Sequence, residues 1–252
     1  MNSKQNKKEI KKRLDIIILE RGIAQSRHRA QALIGAGKVF VNGRMCDKAG
    51  TKFIPSEIEV KLKEQDHPFV SRGGLKLDHA LSEFNITIDN NICMDVGAST
   101  GGFTDCLLQH GAKKVYSIDV GYGQLDYKLR TDPRVVVMER TNIRYLPPGS
   151  IPDPISICTV DTSFISLKIV VPSILKHLES TAKIIALIKP QFEAGRKYVK
   201  KGVIRDESVR EAVVEDLVEY FKSIDLKVLG VTPSPILGPK GNKEFLVLLE
   251  SS

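Results

Sequence analysis

The most regular pattern of apolar and polar positions lies between residues 92 and 119. A short apolar run at 92–96 leads into a glycine-rich turn, the segment 103–110 has helical spacing, and a second apolar run covers 115–118. This order predicts a strand, a turn, a helix and a second strand that ends in Asp119. In a doubly wound sheet, ligands bind outside the carboxyl ends of the strands, so we expect the turn and Asp119 to face one ligand.

Similar apolar runs recur from residue 71 to about residue 249, separated by stretches with helical spacing. We predict seven strands, near residues 92–96, 115–119, 135–139, 156–161, 183–188, 226–231 and 244–249. Alternation with helices favours a mostly parallel sheet covered on both faces, which is a Rossmann-like α/β fold. A loop rich in proline and glycine separates the last two strands, and it favours an antiparallel closing strand.

The first 62 residues follow a different pattern, which predicts a small α+β module. Apolar positions at helical spacing indicate two helices, near 14–19 and 26–34. A short strand is predicted at 39–41, the Asn42-Gly43 pair after it is typical of a tight hairpin, and a strand near 58–62 closes the module.

The chain is therefore expected to contain three segments: the module over residues 1–62, a polar linker with a proline over 63–70, and an α/β domain over 71–252. Residues 1 to about 8 are polar, and we expect them to lack stable structure.

Charge is concentrated in the amino-terminal module. Residues 1–60 hold 13 Lys and Arg against 6 Asp and Glu, so that +7 of the net charge of +8 lies in them. Clustered cations on a small module are typical of nucleic-acid binding, although a solvated basic face without a partner would have the same charge.

Cysteine usage and hydropathy restrict the cellular setting. The four cysteines, Cys46, Cys93, Cys106 and Cys158, have no C-x-x-C spacing, so no metal site is indicated and reduced thiols are expected. No apolar run reaches the roughly 18 residues that a membrane span needs, and the first residues lack the apolar core of a signal peptide. We therefore expect a cytoplasmic protein.

The glycine turn has the pattern G-x-x-x-G-G, in place of the G-x-G-x-x-G that binds a pyrophosphate. S-adenosylmethionine (SAM) suits it better, because SAM has no phosphate and its ribose diol needs a carboxylate such as Asp119. Asp95 is expected to hold the ligand's ammonium, directly or through water. The predicted cofactor contacts are Asp95, Gly97, Ala98, Ser99, Gly101, Gly102, Phe103, Asp119, Asn142 and Asp161. A strand, turn and helix with a purely structural role is the alternative.

Four polar residues lie at the ends of predicted elements, where we expect the functional site of the domain. Asp161 and Lys189 each close an apolar strand, Glu244 precedes the final strand, and Lys76 lies in VSRGGLKL at the start of the domain. A lysine and a carboxylate in one crevice should perturb each other's proton affinity, which is typical of catalytic groups. Charged residues are also common at strand ends simply because solvent begins there.

The stretch RLDIIILERGIAQSRHRAQALIGAGKVFVNGRM resembles the S4 RNA-binding domain. A helix start with guanidiniums beside it suits a phosphate, which is the arrangement that Ser26 offers with Arg27 and Arg29. The residues expected to face RNA are Arg13, Ser26, Arg27, Arg29, Gln31, Lys38 and Arg44 in this module, and Arg72 in the following domain. A solvated surface arginine is the alternative for each arginine taken alone.

Several further stretches resemble the TlyA, or haemolysin A, family of ribosomal RNA 2′-O-methyltransferases. These are VSRGGLKL, DVGASTGGFTDCLLQHGAKKVYSIDVGYGQLDYKLR, VDTSFISL, IKPQFEAGR and GPKGNKEF. The resemblance implies an FtsJ-like, SAM-dependent methyltransferase domain whose catalytic residues correspond to Lys76, Asp161, Lys189 and Glu244. One departure is the linker, which has His67-Pro68-Phe69-Val70 where the mycobacterial type has Arg-x-Trp-Val.

What this family resemblance implies is methylation of a ribose 2′-hydroxyl, of cytidine, in the RNA of ribosomal subunits. Lys189 is expected beside the hydroxyl, either as a cation that stabilises the developing alkoxide or, if neutral, as a base. Asp161 would orient Lys189, and Lys76 and Glu244 would complete the network. No membrane and no metal partner is expected, and the oligomeric state is left between a monomer and a weak dimer.

Three other functions compete with this interpretation. A base methyltransferase is disfavoured, because DTSF stands where an N/D-P-P-Y/F motif would be and no cysteine nucleophile lies there. A cytolysin, suggested by the name haemolysin, lacks both a membrane span and a convincing amphipathic basic helix. An RNA-binding protein with an inactive methyltransferase domain would leave the four polar residues without a chemical role.

Overall fold

The computed structural model describes residues 10–24, 26–62 and 67–251. The chain divides into two compact units, Met1–Pro68 and Phe69–Ser252. The boundary lies inside the predicted linker, and the domain limits inferred from the sequence stay a prediction. The expectation for residues 1–8 and that for the linker at 63–66 lie outside the described residues.

The first unit consists of short strands and two helices around a small apolar core. In chain order its elements are β1 (Lys12–Arg13), α1 (Leu14–Glu20), α2 (Arg27–Gly35), β2 (Val39–Val41), β3 (Arg44–Met45), β4 (Lys52–Phe53), a 3-10 helix (Pro55–Glu57) and β5 (Val60–Leu62). Strands β3, β2 and β5 form an antiparallel sheet, and β1 pairs with β4. Apolar side chains of both helices and of β2 fill the core between them.

Two local signals in the sequence act as predicted in this unit. The Ser26 side chain caps α2 by accepting a hydrogen bond from the backbone N–H of Arg29 at 3.1 Å. Asn42 and Gly43 both have positive φ, +49° and +78°, as the tight turn of a hairpin between β2 and β3 requires.

The second unit alternates strands with helices. In chain order its elements are α3 (Gly73–Glu83), β6 (Ile92–Val96), α4 (Gly102–Gln109), β7 (Lys114–Ile118), α5 (Tyr127–Arg130), β8 (Val135–Met138), β9 (Ile155–Val160), α6 (Leu167–Ile174), β10 (Leu178–Ile188), α7 (Pro190–Glu193), α8 (Glu207–Ser223), β11 (Lys227–Pro233) and β12 (Phe245–Glu250). Four 3-10 turns lie at Ile143–Tyr145, Leu175–His177, Arg196–Tyr198 and Pro239–Gly241.

The seven strands form one sheet in the order β11-β12-β10-β9-β6-β7-β8. Pairing is parallel from β8 to β10, and β12 is antiparallel to both β10 and β11. The mostly parallel sheet and the antiparallel closing strand are thereby confirmed. Strand β10 begins five residues before its predicted start, because an irregular segment after Leu178 precedes the regular pairing that resumes at Lys183.

Helices cover both faces of the sheet. One apolar cluster contains side chains of α6 and α8, and the other contains side chains of α3 and α4. Neighbouring residues of β6 point to opposite clusters, Cys93 to the second and Met94 to the first, as the pleat of a strand requires.

Strand order reverses beside β6, since β7 lies on one side of it and β9 on the other. A parallel sheet opens a crevice at such a point, outside the carboxyl ends of the two strands. Gly97 follows β6 there, Asp161 follows β9, and the backbone N–H of Asp161 donates to the Val96 carbonyl at 2.9 Å. The fold thus places the glycine turn and one of the predicted catalytic residues at the same edge.

Candidate active site

The turn after β6 is packed too closely for side chains. Gly97 has φ of +85°, and a Cβ there would lie 2.6 Å from the carbonyl oxygen of Asp161. Gly101 has φ of +94°, and a Cβ there would lie 2.2 Å from a leucine methyl group. A Cβ on Gly102 would lie 2.2 Å from Ser71 Oγ, so α3 and α4 can approach each other only at glycine. The turn therefore needs glycine for both conformation and space.

Asp119 closes the other side of the turn. Its Oδ2 accepts a hydrogen bond from the backbone N–H of Ser99 at 2.8 Å, and its Oδ1 accepts one from that of Gly121 at 2.7 Å. These two amides hold the carboxylate in a fixed direction. Each oxygen keeps a further acceptor position, which a ligand hydroxyl can use.

Asp95 does not reach the surface of the crevice. It is fully buried, and its carboxylate accepts hydrogen bonds from Thr104 Oγ1 at 2.7 Å and Thr159 Oγ1 at 2.9 Å. Burial raises the pKa of Asp95 to about 6, although both hydroxyl hydrogen bonds lower it. Through these two hydroxyls Asp95 joins β6 to α4 and to β9, and its contact with a ligand stays a prediction.

Three other predicted cofactor contacts have different surroundings. Phe103 is buried in the apolar core between the helices and does not line the crevice, because its ring packs against α3. Ala98 is buried in the turn itself. Asn142 lies after β8, where its side chain accepts from the N–H of Arg144, and the neighbouring Thr141 donates its backbone N–H to the Asp119 carbonyl. Ala98 and Asn142 both lie close to Asp119, since the backbone N–H of Ala98 donates to the Ile118 carbonyl at 3.2 Å.

Lys189 forms the inner ion pair of the site. Its Nζ lies 2.6 Å from Asp161 Oδ1, at an angle outside that of a hydrogen bond, and donates a hydrogen bond to Ser163 Oγ at 2.9 Å. Ser163 was not predicted from the sequence, although it lies only two residues past Asp161. The ammonium is held by an ion pair on one side and by a hydrogen bond on the other, and it keeps donor capacity for another group.

Lys76 and Glu244 form the outer ion pair. Lys76 Nζ donates to Glu244 Oε2 at 2.6 Å, and the side chains are only 9% and 0% exposed. Glu244 Oε1 is buried too, and it accepts no hydrogen bond from the described residues. A Cβ on Gly238 would lie 2.1 Å from this oxygen, so the loop before β12 packs directly on the carboxylate.

Strand register brings the two pairs to adjacent positions. Ile188 of β10 pairs with Phe245 of β12, so the next residue on β10 and the preceding one on β12, Lys189 and Glu244, stand opposite each other. Strand β9, which ends before Asp161, is the other neighbour of β10. The structure thus gathers all four predicted catalytic residues at one edge of the sheet.

Two aromatic rings lie beside the inner pair, and sequence reasoning missed both. Phe164 is 90% exposed with φ of +64°, and its ring packs on that of Phe192 with the centroids 4.8 Å apart. Lys189 Nζ lies 6.0 Å from the Phe192 ring centroid. The rings border an open depression of about 480 Å³. The available signal was a phenylalanine three residues after each of Asp161 and Lys189.

In the first unit, the predicted RNA-facing residues converge on an acid that was not predicted. Asp15 is fully buried, and it accepts hydrogen bonds from Arg13, Arg27 and Gln31 at 2.8–3.0 Å. The Arg13 guanidinium holds the pKa of Asp15 well below its usual range, against the effect of burial. Arg13, Arg27 and Gln31 are thus oriented by an internal carboxylate and are not independent surface groups.

The other predicted RNA contacts are spread over both units. Arg29 and Lys38 are half-buried in the first unit, while Ser26 and Arg44 are exposed. Arg72 is exposed in the second unit, at the start of α3. Their partner stays a prediction.

The cysteines and one group of potential metal ligands complete the list of reactive side chains. All four cysteines are free, and burial raises the pKa of Cys93 to about 12. Within the described ranges, Asp78, Cys106 and His110 on α3 and α4 form one group whose ligand atoms lie within 4.8 Å of each other, so the absence of a metal site stays a prediction. None of the described helices combines the length and apolar character that crossing a membrane would require.

A sheet of this order, with a glycine turn and a strand-end carboxylate at the point of reversal, defines a methyltransferase of the doubly wound class. The family model for the FtsJ-like methyltransferases matches residues 69–251, and that for the S4 domain matches residues 12–56. The chain therefore belongs to the FtsJ-like methyltransferase family and carries an amino-terminal S4 domain.

Similar proteins extend over nearly the whole chain. Hemolysin A of Brachyspira hyodysenteriae is 46% identical over 93% of this chain and 98% of its own length. The 16S/23S rRNA (cytidine-2′-O)-methyltransferase TlyA of Mycobacterium tuberculosis is 41% identical over 95% of this chain and 90% of its own. The solved structure of a hemolysin candidate from Streptococcus thermophilus has 42% identity and a TM-score of 0.75, and the match covers 97% of this chain and 90% of that chain. The resemblance inferred from the sequence motifs is thereby confirmed.

Proposed function

We propose that this chain transfers a methyl group from SAM to a ribose 2′-hydroxyl, of cytidine, in ribosomal RNA. The observation that carries the proposal is the Lys189 ammonium, held by Asp161 and Ser163 at the strand edge that also bears the glycine turn. A fixed cation suits a hydroxyl nucleophile, because it stabilises the negative charge that develops on oxygen. Membership in the FtsJ-like family and the activity named for the mycobacterial relative support the substrate.

The residues around the turn fit SAM. The space at Gly97 admits no side chain, which suits close approach of a ligand to the backbone, and Asp119 offers two oriented acceptors for a ribose diol. We assign the ribose to Asp119 and the amino-acid end to the turn, with Asn142 beside them. When bound, SAM supplies an electrophilic methyl group on a sulfonium.

Asp119→Ala is expected to weaken SAM binding about tenfold or more, because a charge-assisted hydrogen bond to the ribose diol contributes about 1.5 to 3 kcal/mol. Isothermal titration calorimetry of the full chain measures this directly. Asp132→Ala is the matched control, since Asp132 lies at the start of β8, at the opposite edge of the sheet, and should leave the affinity unchanged. Equal SAM affinity in wild type and Asp119→Ala would remove Asp119 from the site.

The remaining chemistry falls to the chain's own residues. The ribose hydroxyl must be placed in line with the methyl group and the S–C bond of the sulfonium. As the new O–C bond forms, that S–C bond would break to leave a thioether, and the hydroxyl proton must leave. We assign to Lys189 the contact with that oxygen, as a cation that stabilises the alkoxide or as the acceptor of its proton. Asp161 and Ser163 fix the direction of Lys189. The buried pair of Lys76 and Glu244 stands beside Lys189 through the register of β10 and β12, and we assign to it the completion of the charge network around Lys189.

Phe164 suits the recognition of an unpaired nucleotide. Its ring is exposed beside the inner ion pair, and RNA-binding proteins stack unpaired bases on such rings. Its left-handed backbone conformation is costly for a phenylalanine, and backbone strain of this kind clusters at functional sites. We therefore assign to Phe164 the base of the target nucleotide.

The S4 domain is assigned the docking onto ribosomal RNA, and Asp15 makes that assignment testable. Asp15→Asn removes one negative charge from a basic module, so simple electrostatics predicts tighter RNA binding. If Asp15 instead aligns Arg13 and Arg27 for phosphates, RNA binding should weaken, by roughly fivefold for about 1 kcal/mol. Fluorescence anisotropy with a labelled ribosomal RNA fragment at fixed salt shows whether RNA binding becomes weaker or tighter.

Asp47→Asn is the matched control for this prediction. Asp47 is an exposed acid of the same module, so its replacement removes the same charge without touching the arginines. It should bind RNA as tightly as wild type or slightly more tightly. If Asp15→Asn behaves like Asp47→Asn while its thermal unfolding is intact, the organising role of Asp15 is wrong.

Methyl transfer and membrane lysis are separable in one pair of assays. The purified chain should transfer tritium from methyl-labelled SAM to ribosomal subunits and should leave dye-loaded liposomes intact. Liposome leakage without transfer would replace the proposal by a cytolysin. Tight RNA binding with neither activity would replace it by an RNA-binding protein with an inactive domain.

A further inference from the structure

Two loops carry the inner catalytic pair and its neighbours. The loop 161–166 joins β9 to α6, and the segment 189–194 follows β10. They are tied together near their starts by Lys189, which contacts Asp161 and Ser163, and in the middle by the packed rings of Phe164 and Phe192. Glu193 makes a third contact between the two segments, where both of them end.

Both carboxylate oxygens of Glu193 take part in this contact. Its Oε2 accepts a hydrogen bond from Ser166 Oγ at 2.6 Å, and its Oε1 accepts one from the backbone N–H of Leu167 at 2.8 Å. Ser166 Oγ in turn accepts from the N–H of Lys168 at 3.1 Å, so the carboxylate also completes the cap of α6. We call Glu193, Ser166 and the Leu167 amide the clasp.

The geometry points to Glu193 as a positioning residue for methyl transfer. By joining the ends of the segments 161–166 and 189–194, Glu193 sets the direction of Lys189 toward Asp161. This inference rests on the proposed function. A rigid segment links the two ends, since Pro190 restricts the backbone and α7 is a single turn between Lys189 and Glu193. The facing loop contains the costly left-handed backbone of Phe164, which persists only where the surroundings hold it from both ends.

A simple helix cap would have another consequence. Loss of a cap lowers stability by about 1 kcal/mol and leaves the chemistry of a folded enzyme unchanged. Loss of a positioning residue lowers the rate of the chemical step, because small misplacements of reacting groups are costly even when binding is intact. Measuring the rate of the chemical step separately from binding therefore distinguishes a helix cap from a positioning residue.

The test compares Glu193→Ala with Glu193→Gln in single-turnover methyl transfer to ribosomal subunits. We expect the rate constant to fall roughly tenfold in Glu193→Ala, with SAM affinity and the KM for subunits unchanged. Glu193→Gln should recover most of the rate, because its amide oxygen still accepts from Leu167 and Ser166 Oγ can accept from its amide group. Ser166→Ala, which removes one tie, should fall between wild type and Glu193→Ala.

Tyr220→Phe is the matched control. The Tyr220 hydroxyl donates to the Lys168 carbonyl at 2.9 Å, so this variant loosens the same turn of α6 without touching the segment 189–194. The inference is overturned if folded Glu193→Ala matches the wild-type rate, or is no slower than Tyr220→Phe. Should Glu193→Ala fail to fold, Ser166→Ala decides by the same comparison, and a wild-type rate in folded Ser166→Ala overturns the inference.

Amide hydrogen exchange keeps this result distinct from a failure of the proposed function. If wild type transfers no methyl group, the proposed function fails. The rate of amide hydrogen exchange over residues 161–167 then still shows whether the clasp holds these residues in place. Faster exchange there in Glu193→Ala than in Tyr220→Phe supports it, and equal exchange overturns it.

Discussion

Lys189→Ala is expected to abolish methyl transfer while SAM binding and the fold survive. Lys189 ends β10 in the crevice, is followed by the rigid Pro190, and is held 2.6 Å from Asp161. Loss of a preorganised donor to a developing oxyanion typically costs about 2.7 to 4 kcal/mol of barrier, or a hundredfold to a thousandfold in rate. The fold survives because Asp161 is 22% exposed, so water can solvate the carboxylate that loses its partner.

Single-turnover assays with saturating SAM and ribosomal subunits measure this rate. Lys183→Ala is the matched control, because Lys183 lies on the same strand at the opposite edge and pairs with Glu250. Lys189→Arg should also fail, since a guanidinium is planar, bulkier and effectively never neutral. A Lys189→Ala rate within a few-fold of the Lys183→Ala rate would require the mechanism to be dropped.

Glu244→Ala is expected to destabilise the protein by about 3 to 5 kcal/mol, because it leaves the Lys76 ammonium buried without its partner. A loss of this size is a large share of the roughly 5 to 15 kcal/mol by which a domain is stable. Urea unfolding of the full chain, followed by a signal from the second unit, measures it. Glu250→Ala, at the other end of β12, breaks more exposed pairs with Lys183 and Lys227 and should cost about 1 kcal/mol or less.

A double variant separates stability from chemistry at the same position. Lys76→Met with Glu244→Leu replaces the buried pair by apolar groups of similar size, which is often neutral or stabilising. We expect this variant to recover most of the lost stability and to stay inactive, because the charged pair beside Lys189 is gone. Wild-type stability in Glu244→Ala would show that the buried pair contributes nothing, and activity in the double variant would remove the pair from the mechanism.

The sheet could be predicted from the sequence because its signals are local. Each buried strand is a short apolar run in the sequence. Asp119 follows the glycine turn at the spacing typical of this fold, and the two are in contact in the structure. The antiparallel last strand followed from the loop rich in proline and glycine before it. The start of β10 could not be predicted, because the residues between Leu178 and Lys183 pair irregularly and do not form an apolar run.

The candidate site was only partly predictable, because the sequence does not show which polar group a charge meets. Lys76 and Glu244 are 168 positions apart, and their pairing depends on the placement of α3 against the sheet. Asp15 looked like one more acid in a basic module, yet it is buried and orients two predicted RNA contacts, Arg13 and Arg27. Asp95 also has partners that the sequence does not indicate, since its carboxylate accepts hydrogen bonds from Thr104 and Thr159.

The central claim is that the methyl group ends on a ribose oxygen, and alkaline hydrolysis of the labelled RNA tests it most directly. Alkali cleaves RNA through the 2′-hydroxyl, so a 2′-O-methylated nucleotide stays joined to its neighbour. Ribosomal RNA labelled by this protein from tritiated SAM should release its label in alkali-stable dinucleotides that begin with cytidine, and RNA treated with Lys189→Ala should release none. Label in mononucleotides with a methylated base would contradict the account.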